Sequence, residues 1–298
     1  MAEITAAKVK ELRDRTGAGM MDCKDALKAV DGDLDEAIVF LRKKMGNKLE
    51  NREGRTTAEG VIATYFSGSV AVIVELNSET DFVARSDDFK ALAQEIAQQI
   101  AVNGGDSTEA VLAQDSLVTP GTTLRSRLED VFTRLREKIV FNRFARIDAG
   151  TEGAVAGYVH IPANNKIGVI VELTAESAEI AASDAVQKVG KEVAMQIAAA
   201  RPRYLNREEV PAEIIATERD IAITQGKNEG RPEAALEKIA EGRLRKYYEE
   251  VVLLDQAYLR EPKKTVGQVV KETASGLTIK SYIRYEVGEQ SKPVEAAE

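Results

Sequence analysis

The chain has 298 residues, of which 44% are hydrophobic and 30% are charged, a globular balance that excludes disorder as the main state. At the usual domain size of roughly 100–200 residues, this length predicts about two domains with room for a small third one. The 41 Lys and Arg residues against 49 Asp and Glu residues give a net charge of −8, so the composition carries no electrostatic footprint for direct nucleic-acid binding.

Membrane insertion, secretion and metal chemistry are also disfavoured. The longest apolar runs, around 70–74 and 167–171, are far shorter than the roughly 20 residues of a membrane helix. The first residues lack the basic-then-apolar layout of a signal peptide. Because Cys23 is the only cysteine and His160 the only histidine, the sequence excludes an internal disulfide and a Cys/His metal cluster. We therefore expect a cytoplasmic protein with no cofactor, no metal and no membrane contact, and the composition favours a function other than catalysis.

Residues 1–45 predict three short helices. Thr5 and Asp33 are the candidate N-caps of the first and third helices, and the second helix is expected to run from about Met20 to Val30. Three helices of this length bury only a little apolar area. Modules of this size more often bind other proteins than catalyse reactions.

An internal repeat follows a polar stretch at 46–57 that we predict to be a linker. Residues 60–101 align without a gap on residues 157–198, and about a third of the aligned positions are identical. Both copies contain Val-Ile-Val-Glu-Leu and, later, Gln-Ile-Ala. Each copy predicts a strand, a turn, a second strand and a long helix. The fold class is therefore α+β, with two related subdomains built from antiparallel strands and helices.

Further elements surround the two copies. A helix over 122–137 and a strand over 139–147 follow the first copy, and a helix over 265–274 and a strand over 277–287 end the second. Between them, thin apolar stripes predict an antiparallel helical hairpin at about 209–250 that projects from the body; one stripe is Ile214, Ile215 and Ile221. The expected divisions are a helical module with its linker at 1–54, subdomains at 55–150 and 151–288, and a polar tail at 289–298.

No enzyme template fits this sequence. The phosphate-binding loop G-x-x-x-x-G-K-[S/T] is absent, and Gly17-x-Gly19 lacks the third glycine of a dinucleotide motif and follows a helix instead of a strand. His160 follows a predicted strand and has no Ser or Asp partner at a motif spacing, so a structural or interface role is favoured over that of a general base. Cys23 is expected to pack within its helix. A hydrolase that uses His160 stays open as a minor alternative, and it predicts turnover that His160→Ala abolishes.

The segment after the second strand of the first copy contains a residue that a purely structural role does not explain. On spacing alone, Thr80 caps a helix and Phe82 is buried beside it. In the second copy, however, Phe82 aligns with Glu179, whereas Val83 aligns with Ile180. A position that accepts glutamate in a related copy does not fit the core. We therefore expect Phe82 to be exposed at an edge of the subdomain, where an aromatic side chain can anchor a protein interface.

Two long motifs resemble the elongation factor Ts family of bacteria and organelles. One is Thr-Asp-Phe-Val-Ala-Arg at 80–85, directly after a Val-Glu-Leu-Asn strand. The other is Arg-Asp-Arg-Thr-Gly-Ala-Gly-Met-Met-Asp-Cys-Lys at 13–24. Shorter matches are Lys-Thr-Val-Gly-Gln at 264–268 and Arg-Tyr-Glu-Val-Gly at 284–288. Together these matches span nearly the whole chain.

The resemblance implies both a fold and a function. The implied fold is a three-helix module of the ubiquitin-associated (UBA-like) type, followed by two core subdomains with a helical hairpin inserted in the second. The implied function is that of a guanine-nucleotide exchange factor without catalytic chemistry of its own. Its implied partner is elongation factor Tu, the GTPase that carries aminoacyl-tRNA to the ribosome. The factor would bind the GDP form, displace Mg²⁺ and promote GDP release.

The resemblance also implies site residues. The segment that dislodges the magnesium ion of the GTPase matches Thr80, Asp81, Phe82 and Val83. Within it, Phe82 matches the phenylalanine that wedges between helices of the G domain. The N-terminal contact surface matches Arg13, Met20 and Met21. His160 matches a histidine that touches a β-barrel domain of the GTPase.

Two questions stay open at the level of sequence. The helical hairpin could form a homodimer, bind the GTPase or do neither. The three-helix module also allows a second function, that of an adaptor or chaperone that holds nascent or ubiquitin-like chains.

Overall fold

The computed structural model describes residues 4–16, 18–41 and 56–289. The predicted linker up to residue 55, Gly17 and the predicted tail beyond residue 289 lie outside the described residues.

Three helices form the N-terminal part: α1 (Ala6–Thr16), α2 (Met20–Ala29) and α3, which covers 34–41 of the described residues. The backbone N–H of Lys8 donates to Thr5 Oγ1 at 3.3 Å, and that of Glu36 donates to Asp33 Oδ1 at 2.8 Å. Both predicted N-caps are thus confirmed. The buried side chains of these helices belong to the same apolar cluster as those of the sheet that follows.

The first repeat copy lies in an antiparallel three-stranded sheet of order β1-β2-β3. Its strands are β1 (Glu59–Ser67), β2 (Val70–Ser78) and β3 (Ile139–Asp148). The helices between β2 and β3 are α4 (Asp81–Arg85), α5 (Asp87–Asn103), α6 (Thr108–Leu112) and α7 (Leu124–Leu135). The apolar face of α5, with Phe89, Leu92 and Ile96, is buried against the sheet. These elements are called the first half below.

The second copy repeats this arrangement in a sheet of order β4-β5-β8. Its strands are β4 (Gly153–Val159), β5 (Ile167–Thr174) and β8 (Thr278–Glu286). Its helices are α8 (Ala178–Ala181), α9 (Asp184–Ala200) and α12 (Val266–Thr273), and a small hairpin pairs β6 (Ala257–Tyr258) with β7 (Glu261–Thr265). Helices α5 and α9 both have 17 residues and start at the aligned positions, so the predicted repeat is confirmed from β2 and β5 onward. The gapless alignment of the first strands was wrong: Val61 pairs with Leu76 and Ala154 with Leu173, so Gly60 corresponds to Gly153 because the turn after β4 is longer than the turn after β1. These elements are called the second half.

The predicted helical hairpin consists of α10 (Ala212–Asn228) and α11 (Glu233–Val251), which pack against each other. Its buried seam is built from small residues and one leucine: Ala222, Gly226, Leu236 and Ala240. A Cβ on Gly226 would lie 2.8 Å from Leu236 Cδ2, so the glycine permits this close approach. The expectation that Ile221 lies in the buried stripe was wrong. Because the small residues form the seam, Ile221 is left 43% exposed beside it.

The two sheets pack through an apolar layer in which Ile62 and Ile73 of the first half meet Val155 and Ile170 of the second. This arrangement confirms the α+β fold class. None of the helices in the described ranges combines the length and the apolar character that crossing a membrane requires.

Candidate partner-binding site

Phe82 projects from α4, the short helix that follows β2. Its side chain is 81% exposed, more than any other large hydrophobic side chain of the described residues. The neighbouring Val83 and Ala84 are both buried in the core of the first half. The alternative in which Phe82 is buried beside the helix cap is therefore wrong, and the exposure inferred from Glu179 is confirmed.

The N-terminal end of α4 is tied to the connection between α7 and β3. Thr80 caps the helix, since its Oγ1 accepts from the backbone N–H of Val83. The same hydroxyl donates to Glu137 Oε1 at 2.8 Å, and the backbone N–H of Thr80 donates to Glu137 Oε2 at 3.0 Å. Ser78 at the end of β2 donates its hydroxyl to the carbonyl of Thr80 at 2.9 Å. The start of α4 is thus held from two sides.

The C-terminal end of α4 is held by Ser86. Its Oγ donates to the carbonyl oxygen of Val83 at 2.8 Å and also accepts from the backbone N–H of Phe89, so Ser86 joins the end of α4 to the start of α5. Asp81 pairs with Arg85 at 2.9 Å, but both side chains are more than half exposed and such a pair contributes little stability. The hydrogen bonds of the Ser78, Thr80 and Ser86 hydroxyls therefore hold the helix that carries Phe82.

The second copy has equivalent hydrogen bonds at both ends of α8, but it has no aromatic residue at the position of Phe82. Ser177 accepts from the backbone N–H of Ile180, and Ser183 donates to the carbonyl of Ile180 at 2.7 Å. At the position of Phe82 this copy has the exposed Glu179, and at the position of Asp81 it has Ala178. The local fold therefore explains the serine and threonine residues of the segment, but it does not account for Phe82 or Asp81.

The predicted N-terminal contact residues lie close to the same connection. Met20 and Met21 are 58% and 67% exposed at the start of α2, and Arg13 is exposed on α1. Gly19, the residue before Met20, abuts the Arg136 guanidinium so closely that a Cβ at this position would collide with it. Arg136 directly precedes Glu137, the partner of Thr80. The structure therefore brings the methionines and α4 to adjacent parts of the molecule.

His160 lies in the second half, at the end of β4, and is half-buried. Its Nδ1 is 2.7 Å from the hydroxyl of Tyr158, so the partner of this nitrogen is a phenol instead of the acid or nucleophile that a hydrolase would need. The following turn is tied to the first half, because Asn165 O accepts from the backbone N–H of Ile62 at 2.6 Å.

The position of that turn relates His160 to α4. Lys166 Nζ lies 2.5 Å from the carboxylate of Glu59, and Glu59 pairs in register with Ser78, two residues before the α4 cap. The turn after His160 and the start of α4 are therefore at the same end of the two stacked sheets.

Sequence reasoning missed two exposed apolar side chains near His160. Leu259 lines a pocket of roughly 400 Å³ together with Tyr158, His160 and Met195, and Ile161 is exposed in the turn. A large apolar residue in a turn between two strands was the available signal for Ile161. Leu259 follows a two-residue strand that the sequence pattern did not predict, so it carried no comparable signal.

The described residues contain no group of three or more His, Cys, Asp and Glu side chains arranged to hold a metal ion. Cys23 is buried in the N-terminal helices, and burial raises the pKa of its thiol, with a smaller opposing effect from its hydrogen bond with Thr16. A buried thiol with a raised pKa is a poor nucleophile.

The fold and these surfaces define an α+β scaffold that presents an exposed aromatic ring on a helix held at both ends. The family model described as "Elongation factor TS" matches residues 79–289. The elongation factor Ts of Salinispora tropica is 43% identical over 292 residues, which cover 97% of this chain and 100% of that protein. Those of Clostridioides difficile and Aromatoleum aromaticum are 41% and 42% identical over 97% of this chain, and the matches cover 94% and 92% of those proteins. The chain belongs to the elongation factor Ts family, a family of translation elongation factors.

Proposed function

We propose that this protein is a guanine-nucleotide exchange factor that binds the GDP form of elongation factor Tu in the cytoplasm, displaces Mg²⁺ and promotes GDP release. In this proposal it has no catalytic chemistry of its own. The observation that carries the proposal is Phe82, which is 81% exposed on a helix held at both ends. Because the backbone of this helix is already fixed, little backbone freedom is lost when a partner buries the ring, so more of the burial free energy remains for binding.

The segment has a distinct task for each residue. Phe82 is the wedge that enters between helices of the G domain, and Asp81 presents an exposed carboxylate beside it. Thr80 and Val83 hold the wedge, the first through its cap and Glu137, the second through its burial in the core.

Displacement of the metal accounts for nucleotide release. Mg²⁺ offsets the negative charge of the phosphates, so a partner that distorts the metal site weakens the binding of GDP. By linkage, GDP then weakens the binding of the exchange factor by the same factor.

The magnitudes require more than one contact. Each tenfold gain in the GDP release rate requires about 1.4 kcal/mol. Burial of one phenylalanine supplies roughly 1.5–3 kcal/mol, enough for about 10-fold to 150-fold. A larger acceleration needs binding energy from remote contacts, which the proposal assigns to Arg13, Met20, Met21 and His160.

The test is a stopped-flow measurement of labelled GDP leaving elongation factor Tu, chased with unlabelled GDP, with and without this protein. The proposal predicts a release rate that rises with the concentration of the protein and then saturates. The Glu179→Ala variant is the matched control, because it changes the corresponding helix position in the second copy and should accelerate release as the wild type does. A release rate that the wild-type protein leaves unchanged rejects the proposal.

The alternative of an adaptor or chaperone is favoured by one observation. A groove lined by Val30, Val39 and Phe40 runs along the N-terminal helices, and Val39 is exposed in it. The full-length protein can be titrated with unfolded client peptides and, separately, with elongation factor Tu. Saturable peptide binding combined with unchanged GDP release would support the adaptor function.

A further inference from the structure

An ion pair with a buried carboxylate and a partly buried guanidinium connects the two halves of the molecule. Glu75 on β2 is fully buried, and its carboxylate accepts from Nε of Arg143 on β3 at 2.6 Å. The guanidinium of Arg143 then reaches into the second half, where it lies 4.0 Å from the centroid of the Tyr285 ring and donates to the carbonyl oxygen of Glu286 at 3.3 Å. The backbone N–H of Gly288 donates back to Glu75 Oε1 at 3.3 Å. We call this set of contacts the Glu75–Arg143 bridge.

A contribution to stability alone does not explain why the bridge is present. The apolar layer between the sheets already supplies the hydrophobic driving force. A buried ion pair pays a desolvation cost that often cancels its attraction, so an apolar pair of similar volume is usually no less stable. Hydrophobic contacts are non-directional, whereas hydrogen bonds and a stacked guanidinium require one geometry. The apolar layer therefore holds the two halves together, and the bridge fixes their relative orientation.

The second repeat copy offers an internal comparison. Glu172 occupies the position of Glu75, at the same irregularity of the strand pairing, and it too is buried. Its carboxylate, however, pairs with Lys280 Nζ and Ser281 Oγ, both at 2.8 Å and both on the neighbouring strand of its own sheet. A buried glutamate at this strand position is thus common to both copies. Only in the first copy does its partner extend across to the other half.

The bridge lies between the supports of the two candidate contact surfaces. Glu75 is three residues from Ser78, whose hydroxyl holds the start of α4. On the other side, Val287 follows the strand residues that Arg143 contacts, and its backbone N–H donates to Lys166 O at 2.9 Å, in the connection that carries His160. A rotation of one half against the other would change the separation of Phe82 and His160.

We infer that the Glu75–Arg143 bridge is a positioning device that fixes the two halves in the one orientation in which the Phe82 and His160 surfaces contact a single partner together. This inference rests on the proposed function. Two contacts on a rigid body bind with the benefit of a high effective concentration, and that benefit is lost when the second contact is no longer held in place.

The first experiment measures the orientation without any partner. Nitroxide labels at the exposed positions Asp87 and Ile161, in a Cys23→Ala background, report the distance between the halves by pulsed electron paramagnetic resonance. The test variant combines Glu75→Gln with Arg143→Met, which removes both charges together and leaves no buried charge unpaired. We expect a narrow distance distribution in the parent and in the Glu172→Gln control, and a broadened or shifted one in the test variant. An equally narrow, unshifted distribution in the test variant overturns the inference.

The second experiment measures how the bridge couples the contacts. The cost of His160→Ala in affinity for elongation factor Tu is determined in the wild type, in the Glu172→Gln control and in the bridge variant. We expect a cost of at least severalfold in the first two and less than twofold in the bridge variant, because His160 is no longer held where it can bind together with Phe82. A bridge that only stabilises the fold would leave this cost unchanged in protein shown to be folded by circular dichroism.

The outcomes separate the two proposals. Normal binding of elongation factor Tu, with a cost of His160→Ala that is the same in the bridge variant as in the wild type, refutes the bridge inference alone. Failure of the wild-type protein to bind elongation factor Tu refutes the proposed function itself, and the bridge then has no partner to position.

Discussion

Removal of the Phe82 ring should reduce stimulated GDP release strongly while it leaves the stability of the fold almost unchanged. Because the side chain is 81% exposed, Phe82→Ala should change the free energy of unfolding by no more than about 0.5 kcal/mol. If the partner buries the ring, its loss removes roughly 1.5–3 kcal/mol from the exchange complex. Such a loss corresponds to a second-order rate constant for stimulated GDP release that is lower by about 10-fold to 150-fold.

The assay follows labelled GDP release at increasing concentrations of the variant, which separates the maximum rate from the concentration that gives half of it. A wedge acts within the complex, so the maximum rate should fall. A variant that needs a higher concentration but reaches the wild-type maximum would show that Phe82 is an anchor only. Unchanged kinetics in a variant with the wild-type melting temperature would remove Phe82 from the mechanism.

Three further predictions concern the support of the wedge and the buried ionisable groups. Thr80→Val removes the helix cap and the hydroxyl that binds Glu137, a loss of about 1 kcal/mol; it should slow stimulated GDP release severalfold and speed hydrogen exchange at the Val83 amide, and unchanged exchange there would contradict the role given to the cap. Cys23 should react with a thiol reagent only when the protein is unfolded, because its side chain is fully buried and burial also raises its pKa; rapid reaction of the native protein would contradict its placement. Burial raises the pKa of Tyr258 and Tyr282, with Glu192 adding to the shift at Tyr258 and the Glu209 charge adding to it at Tyr282. These phenols should therefore stay protonated in the folded protein above pH of about 10, where unfolded tyrosine ionises, so the free energy of unfolding falls as the pH rises further; an ultraviolet titration in which all eight tyrosines ionise together in native protein would contradict this.

Local patterns in the sequence were sufficient for the strands of the two three-stranded sheets and for the exposure of Phe82, but not for the small β6–β7 hairpin. The strands were predictable because apolar residues recur in both copies at the same spacing, and strand pairing within each copy needs only a short turn. Phe82 was predictable because its counterpart Glu179 cannot belong to a core. For the first two strands of each sheet and for Phe82, the relevant contacts are close in sequence or are repeated within it, whereas β3 and β8 pair with strands that are distant in sequence.

The parts of the site that the sequence did not predict depend on contacts between segments that are distant in sequence. The tie of Thr80 to Glu137 and the approach of Gly19 to Arg136 arise only when α7 packs beside α4 and the N-terminal helices. The Glu75–Arg143 bridge needs both the register of β2 with β3 and the docking of the two sheets. Ile221 was misplaced because the hairpin packs through Gly226 and Ala222, and a count of large apolar residues does not reveal a seam of small ones.

The central claim is that this protein and Mg²⁺·GDP each weaken the binding of the other to elongation factor Tu. Two dissociation constants test it most directly. The affinity of the protein is measured for nucleotide-free elongation factor Tu and for the same GTPase saturated with GDP and Mg²⁺. Linkage requires the protein to bind the nucleotide-free form more tightly, by the same factor by which it weakens GDP. We predict a difference of at least a hundredfold, about 2.7 kcal/mol, which narrows when Mg²⁺ is chelated in the GDP complex. Equal affinities for the two forms would contradict an exchange function.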